Sequence, residues 1–306
     1  MGFKYKVTLF TPTFNRAYVI EKLYRSIQKQ TCRDFEWLIV DDGSSDNTQE
    51  LVQGWIDEEN DFPIRYYKTE NGGKCRAINL GLDIAQGELF FTVDSDDELT
   101  ENAVERVVYW ESTIAEKKMY AGVMGNLGTS ADYSPNRPLG APFRDCSMLE
   151  RYPEYAENVI DGERACVFYT EVHRKYKYPV YDGEKFMTES VTWNRMAHDG
   201  YTVRAFDEII WIYEYLDDGL TNQGNMRFIA NPRGAGIWLR ERAEYIGMSF
   251  GKKMKMWYNF YCDHTSCEEK YRLNMRQCAR YIGAPLPFVW CAAAVHGISG
   301  LLKSVR

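Results

Sequence analysis

Four short runs in the first hundred residues constrain this chain more than anything else in it. Lys6–Thr11 (KVTLFT), Phe35–Asp41 (FEWLIVD), Ile64–Lys68 (IRYYK) and Glu88–Val93 (ELFFTV) are dominated by β-branched and aromatic residues. Their centres lie roughly 25 to 30 residues apart, the repeat of a strand–helix–strand unit. Between them, apolar residues recur at helical spacing: Ile20, Leu23 and Ile27; Thr48, Leu51, Val52 and Trp55; Ala77, Leu80, Gly81 and Ile84. Asp46, with Gln49 three positions on, reads as the N-cap of the second helix. Near-continuous apolar strands alternating with helices predict an α/β fold, a mostly parallel sheet covered on both faces. Such sheets bind ligands beyond the carboxyl ends of their strands.

Each of the four strands runs into an unusual polar cluster: TPTFNR, DDGSSDN, ENGGKCR and DSDD. In the last, Asp94, Asp96, Asp97 and Glu98 fall within five positions. Repulsion and desolvation make that arrangement costly unless a cation sits nearby. Mg2+ and Mn2+ favour carboxylate oxygens and share them with substrate phosphates. In an extended segment Asp94 and Asp96 project to the same side, which predicts a metal-holding pair. Asp97 and Glu98 fit a solvated turn or a helix cap before Thr100. Gly72 and Gly73 permit a tight turn, and Lys74 and Arg76 then open a helix. Cations at a helix N-terminus oppose its dipole, so an anion is expected close by.

In this order and at these spacings, TPTFNR, VDDGSSDNT, ENGGKCRAIN and VDSDD resemble the family 2 glycosyltransferases of the GT-A fold, of the bacterial capsule and cell-surface polysaccharide type. The resemblance runs from Lys6 to about Thr221. It implies a Rossmann-like sheet, a nucleotide-sugar donor and transfer with inversion, without a covalent sugar intermediate. Thr11 and Pro12 would line the nucleoside pocket, with Asn15 and Arg16 close by. Asp42 would accept a hydrogen bond from the base, with Asp41 supporting the turn. A carboxylate there suits the N–H of uracil, hence UDP. Lys74 and Arg76 would lie by the base or diphosphate. Asp94 and Ser95 would contact the donor, and Asp94 with Asp96 would hold Mn2+ or Mg2+. In KFMTESVTWNR the register matches Glu189 to the family's catalytic base; the competing reading is a glutamate that stabilises a first helical turn after Thr188. The chain departs from the family at Tyr213–Thr221 (YEYLDDGLT), where Leu216 takes the place of a histidine and Asp217 or Asp218 is the available substitute.

Two other functions fit less well. A nucleotidyltransferase that forms sugar nucleotides needs a Gly-rich, basic loop after its first strand, which TPTFNR lacks. A non-catalytic nucleotide-sugar-binding subunit would have no use for Asp94, Asp96 and Glu189.

Charge separates the chain into two parts. The net charge is −7, but residues 1–222 carry −15 and residues 223–306 carry +8. The expected organisation is therefore a GT-A catalytic domain over 1–222, with nucleotide-sugar binding over about 6–100 and the acceptor and base region over about 125–222. A basic helical extension follows over 223–306. Gly128–Arg144, rich in Gly, Pro and Ser, reads as a loop that closes over a ligand. In the extension Arg227, Arg233, Arg240, Arg242, Lys252, Lys253 and Lys255 alternate with Phe228, Trp238, Met254, Met256 and Trp257, a pattern suited to peripheral contact with an anionic membrane. The acidic balance argues against nucleic acid as a partner. Met1–Lys6 leads straight into a strand with no leader pattern. Leu286–Leu302 is interrupted by two glycines, Ser299 and His296, so a cytoplasmic protein, peripheral at the inner face of the membrane, is expected. The eight cysteines read as free thiols, and Cys262, His264 and Cys267 match no common zinc spacing.

Overall fold

A computed structural model describes residues 2–157, 159–214, 224–265 and 267–304. Leu216, Asp217 and Asp218 lie outside them. The chain forms two compact units, Met1–Tyr178 with Arg195–Leu216, and Pro179–Asn194 with Asp217–Arg306.

The first unit begins as the sequence predicts: β1 (Tyr5–Thr13), α1 (Ile20–Gln28), β2 (Phe35–Asp41), α2 (Thr48–Asp57), β3 (Ile64–Lys68), α3 (Lys74–Ile84) and β4 (Gly87–Thr92). It continues through β5 (Glu98–Leu99), α4 (Ala103–Ser112), β6 (Tyr120–Gly128), β7 (Arg144–Cys146), β8 (Arg164–Tyr169) and α5 (Thr170–Lys175), and ends with β9 (Thr202–Ile212). The strand order is β3-β2-β1-β4-β8-β6-β9-β5, with β7 on β9. The β3-β2-β1-β4 half is parallel throughout, whereas β4 to β8 and β8 to β6 are antiparallel, so the sheet as a whole is mixed.

Both faces of the parallel half are covered. Val7, Leu9, Trp37 and Ile39 join Ile20, Leu23, Tyr24 and Trp55 in one core, where Tyr24, Trp37 and Trp55 stack on one another with ring centroids 4.3 to 5.8 Å apart. On the opposite face Phe10 stacks on Phe90 at 4.9 Å and packs against α3 so closely that a Cβ on Gly81 would meet the Phe10 ring at 2.2 Å.

His173 on α5 belongs to this second face. It is buried, edge-on to the rings of Phe90, Phe168 and Tyr178, and both ring nitrogens lack a hydrogen-bond partner. Burial depresses its pKa from 6.5 to about 3. The unfolded chain therefore takes up a proton that the folded chain refuses, and stability falls as pH drops from 6.5 towards 3. At pH 5 the penalty is about 2 kcal/mol. His173→Phe is expected to remove it: denaturation midpoints of the two proteins should diverge between pH 7 and pH 5, with the variant the more stable. Parallel pH dependence would show that His173 does not carry the effect.

The second unit holds the start of α6 (Ser190–His198), then α7 (Met226–Ile229), α8 (Pro232–Tyr245), α9 (Phe250–Thr265), α10 (Met275–Ile282) and α11 (Leu286–Ser304). Trp257, Phe260, Leu273, Cys278, Ile282 and Val289 form its core. Residues 179–194, which the charge pattern groups with the catalytic part, belong to this unit for a local reason. Glu184 is buried, and its carboxylate accepts the N–H groups of Arg233 at 2.8 Å and Gly234 at 2.9 Å, in the first turn of α8. Asn231 Oδ1 accepts the N–H groups of Lys185 and Phe186 at 2.9 and 3.1 Å. Orphan donors at a helix start are thus satisfied by a segment about fifty residues earlier. Among the described residues no single helix is long and apolar enough to cross a membrane.

Candidate active site

All four polar clusters follow the carboxyl ends of parallel strands, so they share one edge of the sheet. In the register, Thr13 at the end of β1 faces Asp41 at the end of β2, Asp41 faces Lys68 of β3, and Phe10 faces Thr92 of β4. The chain leaves β1 towards β2 and β3, then returns to β4 on the other side of β1. Such a reversal of strand order marks the place where open α/β sheets take ligands.

The loops at this edge are tied to one another. Asp41 is fully buried; its carboxylate accepts the Ser44 N–H at 2.7 Å and the Tyr66 hydroxyl, and so braces the turn after β2. Asp42 is also buried and accepts the N–H groups of Gly72 and Gly73, each at 2.7 Å, and the Asn71 side-chain amide at 3.1 Å. Its oxygens hold the ENGG loop, so a nucleobase would have to share them with these donors. The turns are close-fitting: Gly43 has φ +83°, and a Cβ on it would come within 2.8 Å of the Asn71 backbone nitrogen. Asn15 takes up a left-handed φ of 53°, accepts the Ser45 N–H at 2.7 Å and donates its own N–H to Ser44 Oγ at 2.8 Å, joining TPTFNR to DDGSSD.

Several expectations change in register or direction. Helix α2 begins at Thr48 with Asn47 at the N-cap; Asp46 sits one position earlier and still serves the helix start, accepting the Thr48 N–H and hydroxyl and the Ala17 N–H. Burial alone would raise the Asp46 pKa, but these hydrogen bonds win and hold it low. Thr11 turns its hydroxyl inward to accept the Trp37 indole N–H at 3.0 Å, and it is fully buried; Pro12 is buried beside it. Thr13, two positions on at the carboxyl end of β1, is the residue the pattern passed over: it is buried, and its hydroxyl has no partner. Arg76 curls back to donate to the Gly72 carbonyl at 2.7 Å, and the Arg16 guanidinium donates to the Tyr18 hydroxyl at 3.2 Å.

The acidic cluster resolves into two kinds of carboxylate. The segment turns at Ser95 and Asp96 instead of staying extended, because the Asp97 N–H reaches back to the Asp94 carbonyl. Asp94 and Asp96 remain partly exposed, while Ser95 and Asp97 are buried. Asp97 is not the solvated turn acid that the sequence suggests. It accepts the Trp211 indole N–H at 2.8 Å and the Glu214 N–H at 3.4 Å, and burial together with the charges of Asp94 and Asp96 pushes its pKa up to about 7. Glu98 pairs with Lys22 at 3.0 Å. The Asp96 pKa is raised, first by burial and then by Asp94; Arg16 and Lys74 pull the other way. The anion that the Lys74 position calls for is Asp94, 2.7 Å from its Nζ. Asp94 and Asp96, the first close enough for its charge to bear on the second and paired with Lys74 at 2.7 Å, form an oxygen-donor pair suited to a hard divalent cation. No group of three or more metal-ligating side chains occurs among the described residues, so any ion here would complete its shell with water or substrate oxygens.

Glu189 lies in the second unit, just before the first residue of α6, and its carbonyl accepts the Thr192 and Trp193 N–H groups at 3.1 and 3.3 Å. It therefore occupies the N-cap position rather than the first turn. The Gly128–Arg144 loop is pinned at three points: Asn136 donates to Asn126 Oδ1 at 3.1 Å, the Arg137 N–H to Asp161 at 3.1 Å and the Leu139 N–H to Asp207 at 2.8 Å. In the C-terminal helices, His264 bonds the Leu273 backbone and lies 3.8 Å from the Cys267 sulfur, while Cys262 faces His296 at 3.4 Å, so the three do not form one metal-holding group among the described residues.

A 3-2-1-4 strand order with acidic and glycine loops gathered at the switch point defines an α/β protein whose ligand edge lies at the carboxyl ends of its parallel strands. Residues 8–175 match the family model for Glycosyl transferase family 2, more than half of the chain, and the chain belongs to that family. Among its relatives it is 38% identical over 125 residues to the GalNAc(5)-diNAcBac-PP-undecaprenol beta-1,3-glucosyltransferase of Campylobacter jejuni, covering 40% of this chain and 38% of the relative. It is 26% identical to the putative colanic acid biosynthesis glycosyl transferase WcaA of Escherichia coli, covering 57% and 64%. The putative teichuronic acid biosynthesis glycosyltransferase TuaG of Bacillus subtilis is 23% identical over 71% of this chain and 81% of its own. The matched part thus spans between about a third and two thirds of the first relatives' length. Two solved structures share the GT-A fold: S. aureus TarS 1-349 with UDP-GlcNAc (12% identity, 96% and 92% coverage, TM-score 0.58) and the mannosyltransferase PcManGT of Pyrobaculum calidifontis with GDP-Man and Mn2+ (19%, 98% and 81%, 0.55).

Proposed function

We propose that the protein is an inverting glycosyltransferase that moves a sugar from a nucleotide-sugar, a UDP-sugar in the first instance, to a hydroxyl of a saccharide or lipid-linked saccharide in surface polysaccharide synthesis. The observation that carries this reading is the Lys74–Asp94 pair, 2.7 Å apart, at the strand edge where four polar loops converge. The relatives support the acceptor class: their names specify an undecaprenol diphosphate, colanic acid and teichuronic acid.

In this reading residues of about 6–100 bind the donor, those of about 125–222 serve the acceptor and its base, and 223–306 form a basic extension. Asp94 and Asp96 are the residues to hold Mn2+ or Mg2+, which supplies neutralisation of the leaving diphosphate when bound. Lys74 contributes a second positive charge on the same side. Asp42, Asp41 and Asn15 act chiefly by fixing the loops; Arg16, Arg76, Thr11, Pro12 and Ser95 complete the donor-side surface. Glu189 takes the proton from the acceptor hydroxyl as its oxygen bonds to the anomeric carbon. The bond from that carbon to the diphosphate oxygen breaks in the same step and the electron pair leaves with UDP. The reaction then belongs in the cytosol, at the inner face of the membrane when the acceptor is lipid-linked.

A thermal-shift screen of nucleotide sugars with and without Mn2+ tests the donor half. A UDP-sugar with Mn2+ at 100 times its Kd should add about 2.7 kcal/mol of stability, several degrees in Tm, with GDP-, CDP- and dTDP-sugars well below. No shift with any nucleotide sugar would sink the proposal.

A further inference from the structure

Helix α11 is apolar on the outside as well as on the inside. Its inner side is used within the second unit: Val289 and Ala292 are buried, Phe288 packs edge-on against Trp257 of α9 at 5.3 Å, and His296 reaches Cys262 and Thr265 of α9 at 3.4 and 3.3 Å. On the other side Pro287, Trp290, Cys291, Ala294 and Val295 are exposed. Their intervals of three, one, three and one trace one continuous helical stripe. Trp290 is 57% exposed and Val295 54%. Phe250 of α9, 65% exposed and edge-on to Trp257, extends the apolar surface at the start of the helix. A helix apolar on both sides needs a second apolar environment beyond its own core.

Beyond Glu268, which pairs with Lys270 at 2.7 Å, and Glu269, the charge along the chain is of one sign. From Lys270 to Arg306 there are six Lys and Arg and no Asp or Glu. Arg272, Arg276 and Arg280, spaced by four, are exposed at and before α10. Helices α10 and α11 meet at 118° across Gly283, which takes a left-handed φ of 71°, and Pro285. Such a bend rules out a straight span across a bilayer and leaves α11 free to lie along a surface.

We infer that the exposed stripe of α11, in a segment whose charged residues are all basic, docks onto an anionic phospholipid surface. A protein partner offers a local patch of mixed sign, whereas lipid headgroups present negative charge on all sides of the contact. The absence of any acid over the whole segment matches the second case. This deepens the lipid-linked acceptor reading and rests on it only for its purpose.

Flotation of the full chain with vesicles tests it, with no donor or acceptor added, so that failure here leaves glycosyl transfer standing and failure of transfer leaves docking standing. Phosphatidylglycerol/phosphatidylcholine vesicles should bind the protein at least about tenfold more tightly than pure phosphatidylcholine, and less at 500 mM than at 50 mM salt. Trp290→Asp, and separately Val295→Asp, should lower binding tenfold or more with the melting curve unchanged, since both side chains face solvent. Arg276→Gln with Arg280→Gln should flatten the salt dependence. The inference is overturned by no vesicle binding, by undiminished binding of a folded Trp290→Asp or Val295→Asp protein, or by self-association that Trp290→Asp abolishes, which would make a second copy the occupant.

Discussion

Replacing Glu189 with glutamine is expected to lower turnover by about 10^3-fold while UDP affinity stays within about twofold, because in the proposed reaction the change removes a general base, a loss of about 10^2 to 10^4, and no donor contact. The Thr192 and Trp193 N–H groups that start α6 donate to the main-chain carbonyl of Glu189, and those bonds survive the change. Glutamine matches glutamate in size, so loss of activity in a protein with an unchanged melting curve isolates the proton transfer. A rise of wild-type kcat with pH through one ionisation, absent in the variant, would tie that ionisation to Glu189. Turnover like the wild type in a folded variant would remove Glu189 from the mechanism.

Asp94→Asn should have an effect of similar size on a different quantity. We expect the Mn2+-dependent part of the UDP thermal shift to vanish and turnover to fall by at least about 10^2-fold, a loss in the range seen when one electrostatic contact to the developing charge is removed. Folding is not the cause of such a loss. The Lys74 and Asp94 side chains are 26% and 37% exposed, and pairs that wet contribute about 0 to 1 kcal/mol. The melting curve without ligand should therefore move by no more than a degree or two. A persisting metal-dependent shift in Asp94→Asn would take the cation away from this edge.

The parallel half of the fold was legible because its signals are local. β2 and β3 have the limits that the sequence assigns, and β1 and β4 differ by one or two residues at their ends. β6 was missed for a physical reason. Tyr120–Gly128 (YAGVMGNLG) carries three glycines, which weaken any strand pattern, yet they are what its neighbours require. A Cβ on Gly122 would lie 2.0 Å from the Val167 carbonyl oxygen, and one on Gly125 would lie 2.5 Å from the Trp110 ring. The site divides in the same way. Which loops gather at the edge follows from the strand–helix alternation. What each acid does there depends on partners far along the chain: Asp97 finds Trp211, Asp42 finds Gly72 and Gly73, and Glu184 finds the start of α8. No spacing rule encodes those meetings.

The backbone passes between the two units three times, at 178/179, 194/195 and 216/217. The helices after residue 217 are consequently no detachable module. Ending the chain at residue 222 would strand Glu184 without Arg233 and Gly234, and leave Lys185 and Phe186 without Asn231. Trading this tail between homologues means exchanging the 179–194 insert with it, and a gene fusion that cuts only once will inherit half of a fastening.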